Sequence, residues 1–287
     1  MSKLYIYDSM QNKKVVFEPL DTQNIRVYAC GPTVYDYAHI GNARMAVVFD
    51  TLIRLLRYLF PKVTYVSNIT DIDDKIIERS NLEKVSTESL TNKFSKIYNR
   101  DMKMLNVQEP DYQPKATEYI DEMIQAIAKL EKEKYAYFSD GHVMFNVNSF
   151  KSYGALSSRK QQEQIAGSRV KVSSYKKNPE DFVLWKPSKD NEPFWKSPWG
   201  RGRPGWHTEC FVMATKILGT PFDIHGGGLD LKFPHHENEL AQSCCFSGNL
   251  DNKKSYAKYW MHNGFVTIDG EKMSKSLGNI ILVNELT

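Results

Sequence analysis

The sequence predicts an α/β protein, a doubly wound parallel-sheet nucleotide-binding domain that carries an inserted α+β connective subdomain. Three observations predict it. Residues 25–66 run strand, loop, helix, strand; α/β alternation returns after residue 205; and the stretch between is polar and broken by proline, glycine and tryptophan. Together they outline a Rossmann-like catalytic domain in two halves, 1–114 and 205–287, around an insertion at 115–204.

The elements follow in order. Ile25 to Cys30 (IRVYAC) is rich in β-formers and is stopped by Gly31-Pro32. From Asn42, the apolar positions Phe49, Leu52, Ile53 and Leu56 follow the spacing of an amphipathic helix. Lys62 to Val66 reads as the second strand, and Asp73 and Asp74 as the start of a helix. Ser86–Leu105 and Lys115–Lys134 read as helices, and Tyr135–Phe138 with His142–Val147 as a hairpin around Ser139-Asp140-Gly141. Residues 149–204 are polar, with proline, tryptophan and glycine punctuation. Beyond them come a helix at Thr208–Leu218, a strand at Pro221–Ile224, a glycine loop at 226–228, a helix from Pro234 and a strand near Trp260–Thr267.

Composition narrows the class. The 287 residues are 41% hydrophobic and 25% charged, as in an ordinary globular protein, and the net charge of +4 neither demands nor forbids a polyanionic partner. No apolar run approaches the roughly 20 residues of a membrane helix, and the N-terminus lacks a signal-like stretch. Cys30, Cys210, Cys244 and Cys245 are too few for a disulfide framework, which fits a reducing, cytoplasmic setting with some thiols free for metal. Cys244 and Cys245 read as buried helix residues. Arg159, Lys160, Arg169, Lys171, Lys176 and Lys177 gather in one segment, read as a hydrated surface rather than a phosphate track.

Two motifs carry phosphate chemistry. Lys272-Met273-Ser274-Lys275-Ser276 lies between Gly270 and Gly278, so two lysines can swing onto a triphosphate and balance charge as pyrophosphate leaves. His39-Ile40-Gly41-Asn42 precedes a helix N-terminus, where free N–H groups favour phosphate and Gly41 admits a close approach. The pair resembles the two ATP-binding signatures of class I aminoacyl-tRNA synthetases. That family has HIGH where this chain has HIGN; asparagine donates a hydrogen bond but carries no charge.

A third constellation offers metal ligands. A helix from Pro234 places His235 and Glu239 on one face, and Cys30 and Cys210 lie at strand and helix ends that a doubly wound fold can bring together. Two thiolates, one imidazole and one carboxylate suit Zn²⁺, with His236 and Glu237 as competing candidates. His225-Gly226-Gly227-Gly228 follows a strand as adenosine-binding glycine loops do, and Asp230 could accept a ribose hydroxyl. Thr70 and Asp71 end the second strand, as ammonium ligands or as helix caps. Trp206 is a pocket wall or a core residue.

The segments 30–44, 69–76, 178–186, 202–210, 223–239 and 272–276 together resemble the cysteinyl-tRNA synthetases. The resemblance implies that Cys30, Cys210, His235 and Glu239 hold one zinc ion, which takes the thiolate of the substrate cysteine. It implies ATP contacts at Pro32, His39, Gly41, Asn42, Gly226, Gly227, Gly228, Asp230 and residues 272–276, with Mg²⁺ accompanying ATP. Cys30, Gly31, Thr33, Thr70, Asp71, Trp206 and His225 would surround the amino acid, and His39, Asn42, Lys272 and Lys275 would be catalytic. The partners would be ATP, L-cysteine and tRNA-Cys, with the enzyme a monomer. The family continues past KMSKS into helical, anticodon-reading regions, so the sequence is expected to be C-terminally truncated. Two rivals stand beside this reading: a related ligase giving activated cysteine to a glucosaminyl-inositol in mycothiol synthesis, and a non-catalytic zinc-containing binding module.

Overall fold

The protein is described by a computed structural model over residues 3–158, 173–273 and 277–286, with the side chain of Lys272 outside that description. It opens on a hairpin that the sequence reading lacks, β1 (Tyr5–Asp8) paired antiparallel with β2 (Lys13–Val16). The hairpin abuts the far edge of the main sheet, where the Ser9 N–H donates to the Trp260 carbonyl at 2.7 Å.

The expected strand–helix–strand unit follows as β3 (Ile25–Ala29), α1 (Ile40–Leu59) and β4 (Val63–Ser67). α1 starts before Asn42 because His39 caps it. The Asn42 N–H donates to His39 Nδ1 at 3.2 Å, and the His39 N–H donates to Asn42 Oδ1 at 3.1 Å, a reciprocal capping box. Phe49, Ile53 and Leu56 form its buried face against Val27, Ala29, Val63 and Ile224. Each such burial contributes about 1.5–3 kcal/mol.

α2 (Asp74–Glu83) is capped by Asp73, whose side chain accepts from the Lys75 N–H, and α3 (Thr87–Met104) is capped by Ser86. The chain then returns beside β4: the Ser67 N–H donates to the Tyr112 carbonyl and the Ile69 N–H to the Pro114 carbonyl. α4 (Ile120–Lys132) is shorter than expected because Ala116–Tyr119 forms a 3-10 turn.

β5 (Ala136–Ser139) and β6 (His142–Phe145) form the expected hairpin, with both Asp140 and Gly141 at positive φ. Residues 149–204 depart from expectation. β7 (Phe182–Pro187), β8 (Trp195–Ser197) and β9 (Gly200–Pro204) extend the hairpin into a five-stranded antiparallel sheet, ordered β5-β6-β7-β9-β8. Of the basic cluster, Arg159, Lys160, Arg169 and Lys171 lie outside the described residues, while Lys177 rests its ammonium 4.2 Å from the Tyr137 ring.

The second half comprises α5 (Trp206–Leu218), β10 (Phe222–Gly228), α6 (Glu237–Ser247), β11 (Ala257–Asn263) and a small hairpin of β12 (Thr267–Ile268) and β13 (Glu271–Lys272). The parallel sheet is ordered β11-β10-β3-β4. α1 covers one face, and α5 and α6 cover the other in a core shared with α4 and the inserted sheet. The glycines read as a loop are the end of β10 itself: a Cβ on Gly226 would lie 2.1 Å from Phe49 Cζ, so glycine there lets α1 lie flat on the sheet. No helix among the described residues is long and apolar enough to cross a membrane.

Candidate active site and metal centre

In a doubly wound fold, ligands gather outside the carboxyl ends of the strands. Cys30 follows β3, and His225 and His262 lie near the ends of β10 and β11, with Cys210 presented by α5 and Glu239 by α6. His235 arrives by a route the sequence reading did not foresee. Phe233, preceding Pro234, is extended (φ −143°, ψ 131°), and regular helix begins only at Glu237. Even so, His235 Nε2 ends 3.1 Å from Glu239 Oε1, the pairing expected from their spacing.

Among the described residues, two sets of four side chains bring one donor atom each within 4.8 Å of one another: Cys30, Cys210, His235 and Glu239, and Cys30, His225, His236 and Glu239. Their donor atoms separate them. In the second set, His225 Nε2 lies 2.9 Å from Glu239 Oε2, and His236 is flanked by Cys30 Sγ at 3.3 Å and His262 Nε2 at 2.8 Å. In the first, His235 Nδ1 faces His207 Nδ1 at 3.1 Å, which leaves Nε2 buried with no hydrogen bond. Cys210 Sγ lies 3.5 Å from Asn68 Oδ1 and also hydrogen-bonds with Cys30 and Tyr28. A buried imidazole nitrogen aimed without a partner at two thiols and a carboxylate fits a tetrahedral ion of the zinc type. The other early candidate, Glu237, is used elsewhere: its carboxylate accepts from the Gly154 and Ser157 N–H groups at 2.9 and 2.8 Å, anchoring the insertion to α6.

Electrostatics prepare the same site. Burial pushes both the Cys30 and Cys210 thiols up. Burial also drives His235 down to about 3 and His207 down to about 4, so these imidazoles are neutral and keep a lone pair. Burial works to raise Glu239, yet His225 and the hydrogen bonds from His225 and Tyr256 outweigh it and hold the carboxyl below its ordinary range. A cation placed here would convert the thiols to thiolates.

The metal cluster opens onto a cavity of about 340 Å³, and Cys30, Cys210 and His235 form part of its wall. Gly31, Pro32, Thr33 and Thr70 continue that wall. The Trp206 ring stacks on His235, centroids 4.4 Å apart, and so closes the cavity above the cluster. Thr70 Oγ1 donates to the buried Glu209 carboxylate at 2.9 Å. Asp71 is placed differently: both its oxygens accept from Thr117, at 2.9 and 2.6 Å, so it caps the turn before α4. His225 sits a layer deeper, stacked on Trp260 at 4.6 Å.

His39, Gly41, Asn42, Gly228 and Asp230 also line the cavity, whereas Gly226 and Gly227 are buried within β10. The second signature joins them through Met273, whose Cε lies 3.3 Å from where a Gly41 Cβ would be. Ser274, Lys275 and Ser276 and the side chain of Lys272 lie outside the described residues. Beyond them the chain pairs with the first signature: the Ile40 N–H donates to the Ile281 carbonyl at 3.0 Å and the Val283 N–H to the Ala38 carbonyl at 2.9 Å. Two segments at opposite ends of the sequence thus form one wall.

Sequence reasoning missed His207, His262, Asn68 and Glu209. His207 lies inside a quoted segment, where its place beside Trp206 was a usable signal. Glu209 lies in the same segment, whereas Asn68, which holds the Gly31 N–H at 2.9 Å, and His262 gave no pattern to read.

A profile described as the tRNA synthetases class I (C) catalytic domain matches residues 16–287. The chain is 53% identical over 283 residues to the cysteine–tRNA ligase of Rhodospirillum rubrum, covering 99% of this chain and 61% of that protein. The cysteine–tRNA ligase of Parvibaculum lavamentivorans is 55% identical over 284 residues, covering 99% and 60%. The chain therefore spans about three fifths of the length of these relatives. Methionyl-tRNA synthetase of Mycobacterium tuberculosis, solved in complex with methionyl-adenylate, shares the fold over 92% of this chain and 61% of that one, with a TM-score of 0.64 at 14% identity. The chain belongs to the family of class I cysteinyl-tRNA synthetase catalytic domains.

Proposed function

We propose that this chain forms the catalytic part of a cysteine–tRNA ligase, which activates L-cysteine with ATP and passes the cysteinyl group to tRNA-Cys. One observation carries the reading. Cys30, Cys210 and His235 of the metal-ligand cluster and His39, Gly41 and Asn42 of the first signature line a single cavity, so a sulfur-reading centre and a phosphate-reading centre face one small molecule.

In this reading Cys30, Cys210, His235 and Glu239 hold one zinc ion, which when bound lowers the pKa of the substrate thiol and accepts its sulfur. Serine, whose hydroxyl does not ionise near neutral pH, is rejected by chemistry rather than by shape, so no editing site is required. Gly31, Thr33 and Thr70 frame the amino acid, Trp206 covers it, and Asp71 steadies the strand end through Thr117. Pro32, Gly41, Gly228 and Asp230 receive ATP, which brings Mg²⁺, with Gly226 and Gly227 forming the strand beneath them.

The cysteine carboxylate attacks the α-phosphorus and pyrophosphate leaves. His39 and Asn42, with Lys272 and Lys275, stabilise the charge that builds on the phosphorus oxygens, and Met273, Ser274 and Ser276 bind ATP alongside those lysines. A ribose hydroxyl at the tRNA 3′ end then attacks the acyl carbon, and AMP leaves. Residues 1–114 and 205–287 act as one catalytic unit around the 115–204 insertion, in a cytoplasmic monomer. Cysteine-dependent ATP–pyrophosphate exchange on zinc-loaded protein tests this: exchange with cysteine and none with serine is expected, whereas equal exchange with both would refute the sulfur-reading role.

A further inference from the structure

The two oxygens of the Glu239 carboxylate have unlike surroundings. Oε1 faces the cluster, 3.1 Å from His235 Nε2 and 3.6 Å from Cys30 Sγ. Oε2 faces away from it, accepting a hydrogen bond from the Tyr256 hydroxyl at 2.9 Å and lying 2.9 Å from His225 Nε2. Tyr256 is wholly buried and has little freedom to turn. Its ring packs edge-on against Phe222 with centroids 5.1 Å apart and against Phe211 at 6.3 Å. Its carbonyl accepts from the Phe222 N–H at 3.1 Å, which ties its backbone to the start of β10.

We propose that Tyr256 is a positioning residue: it reserves Glu239 Oε2, so that the metal receives this carboxylate through Oε1 alone. The inference rests on the zinc reading above. Its consequence is coordination number. Two thiolates, one imidazole and one oxygen make a four-coordinate set, and zinc can expand that set by one donor when a substrate sulfur arrives. A carboxylate free to swing and bind through both oxygens would occupy the fifth position itself. Tyr256 thus keeps a position open for sulfur while lying outside the cavity wall.

Tyr256→Phe removes one hydroxyl and keeps the ring. Zinc affinity, measured by competition with a chromophoric chelator, should fall about 10- to 100-fold, the usual effect of losing a group that orients a ligand. The visible absorption of the Co²⁺-substituted variant should weaken relative to wild type, as expected when the tetrahedral ion gains a fifth donor. The melting temperature of the metal-free variant separates this from general unfolding. Unchanged affinity together with an unchanged Co²⁺ spectrum would overturn the inference and leave the zinc reading standing. A wild-type chain that binds no zinc would overturn both. Should the variant fail to fold, a crystal structure of zinc-loaded wild type decides: Oε1 alone on the metal with Oε2 on Tyr256 supports the inference, and both oxygens on the metal refute it.

Discussion

The two ends of the cavity are built on opposite principles. At the metal end every donor comes from a buried side chain: Cys30 is 3% exposed, Cys210 and His235 1%, and Glu239 0%. At the nucleotide end, His39, Gly41 and Asn42 are only partly buried, Asp230 is exposed, Met273 joins the wall, and Ile281 and Val283 pair with Ile40 and Ala38. Burying polar donors without partners is costly, and a metal ion repays that cost only if the donors are fixed before it arrives. The triphosphate of the proposed reaction is large, charged and released each turnover, so the end proposed to bind it must open. One end of the site is therefore part of the core and the other part of the surface.

This contrast predicts where substitutions act. The largest effect is expected at the metal end. Cys210→Ser should lower zinc affinity by well over about 100-fold and abolish cysteine-dependent exchange, checked by metal content and exchange on the same preparation. Lys275→Ala should cut kcat for exchange about 10²- to 10³-fold while metal content stays at the wild-type level. A parallel loss of zinc in that variant would dissolve the distinction between the ends.

Next comes pH. Burial holds His235 and His262 down to about 3 and His207 down to about 4 in the folded protein, against an ordinary value near 6.5. Between those values the unfolded chain binds protons that the folded chain refuses. The metal-free protein should therefore be fully stabilised above about pH 6.5 and lose melting temperature steadily from there toward pH 4. A flat profile over that window would show that these imidazoles are not held neutral.

Smaller effects belong to the scaffold. Gly226→Ala puts a Cβ 2.1 Å from Phe49 Cζ and should destabilise by about 1–3 kcal/mol, read as a shift in urea midpoint. Asn42→Ala removes the acceptor for the His39 N–H and should cost about 0.5–2 kcal/mol, with no change in zinc affinity.

The same contrast explains what could be read from the chain alone. Period and punctuation announced β3, α1 and β4, because a buried strand and an amphipathic helix write themselves into local order. The two signatures were legible because each is contiguous. β8 and β9 were not: WKS and GRGRP have no strand pattern, and β9 is held from outside by Arg203, which pairs with Asp74 at 2.6 Å and Glu192 at 2.7 Å. The glycines at 226–228 suggested a loop, whereas pairing with Met261, His262 and Asn263 of β11 makes them strand. Of the metal centre, the pairing of His235 with Glu239 was legible from spacing. Its choice over His236 was not, because that choice depends on His207 and His262 arriving from other elements. Asp71 shows the same limit, its carboxylate taken by a threonine far along the chain.

The central claim is that one cavity reads sulfur at one end and adenosine phosphate at the other. The most direct test compares binding of non-hydrolysable cysteinyl- and seryl-adenylate analogues to the protein with and without zinc. The account predicts that zinc-loaded protein prefers the cysteinyl analogue by about a hundredfold or more, and that removing zinc erases the preference while leaving adenylate binding measurable. A preference for cysteine that survives without zinc would contradict it.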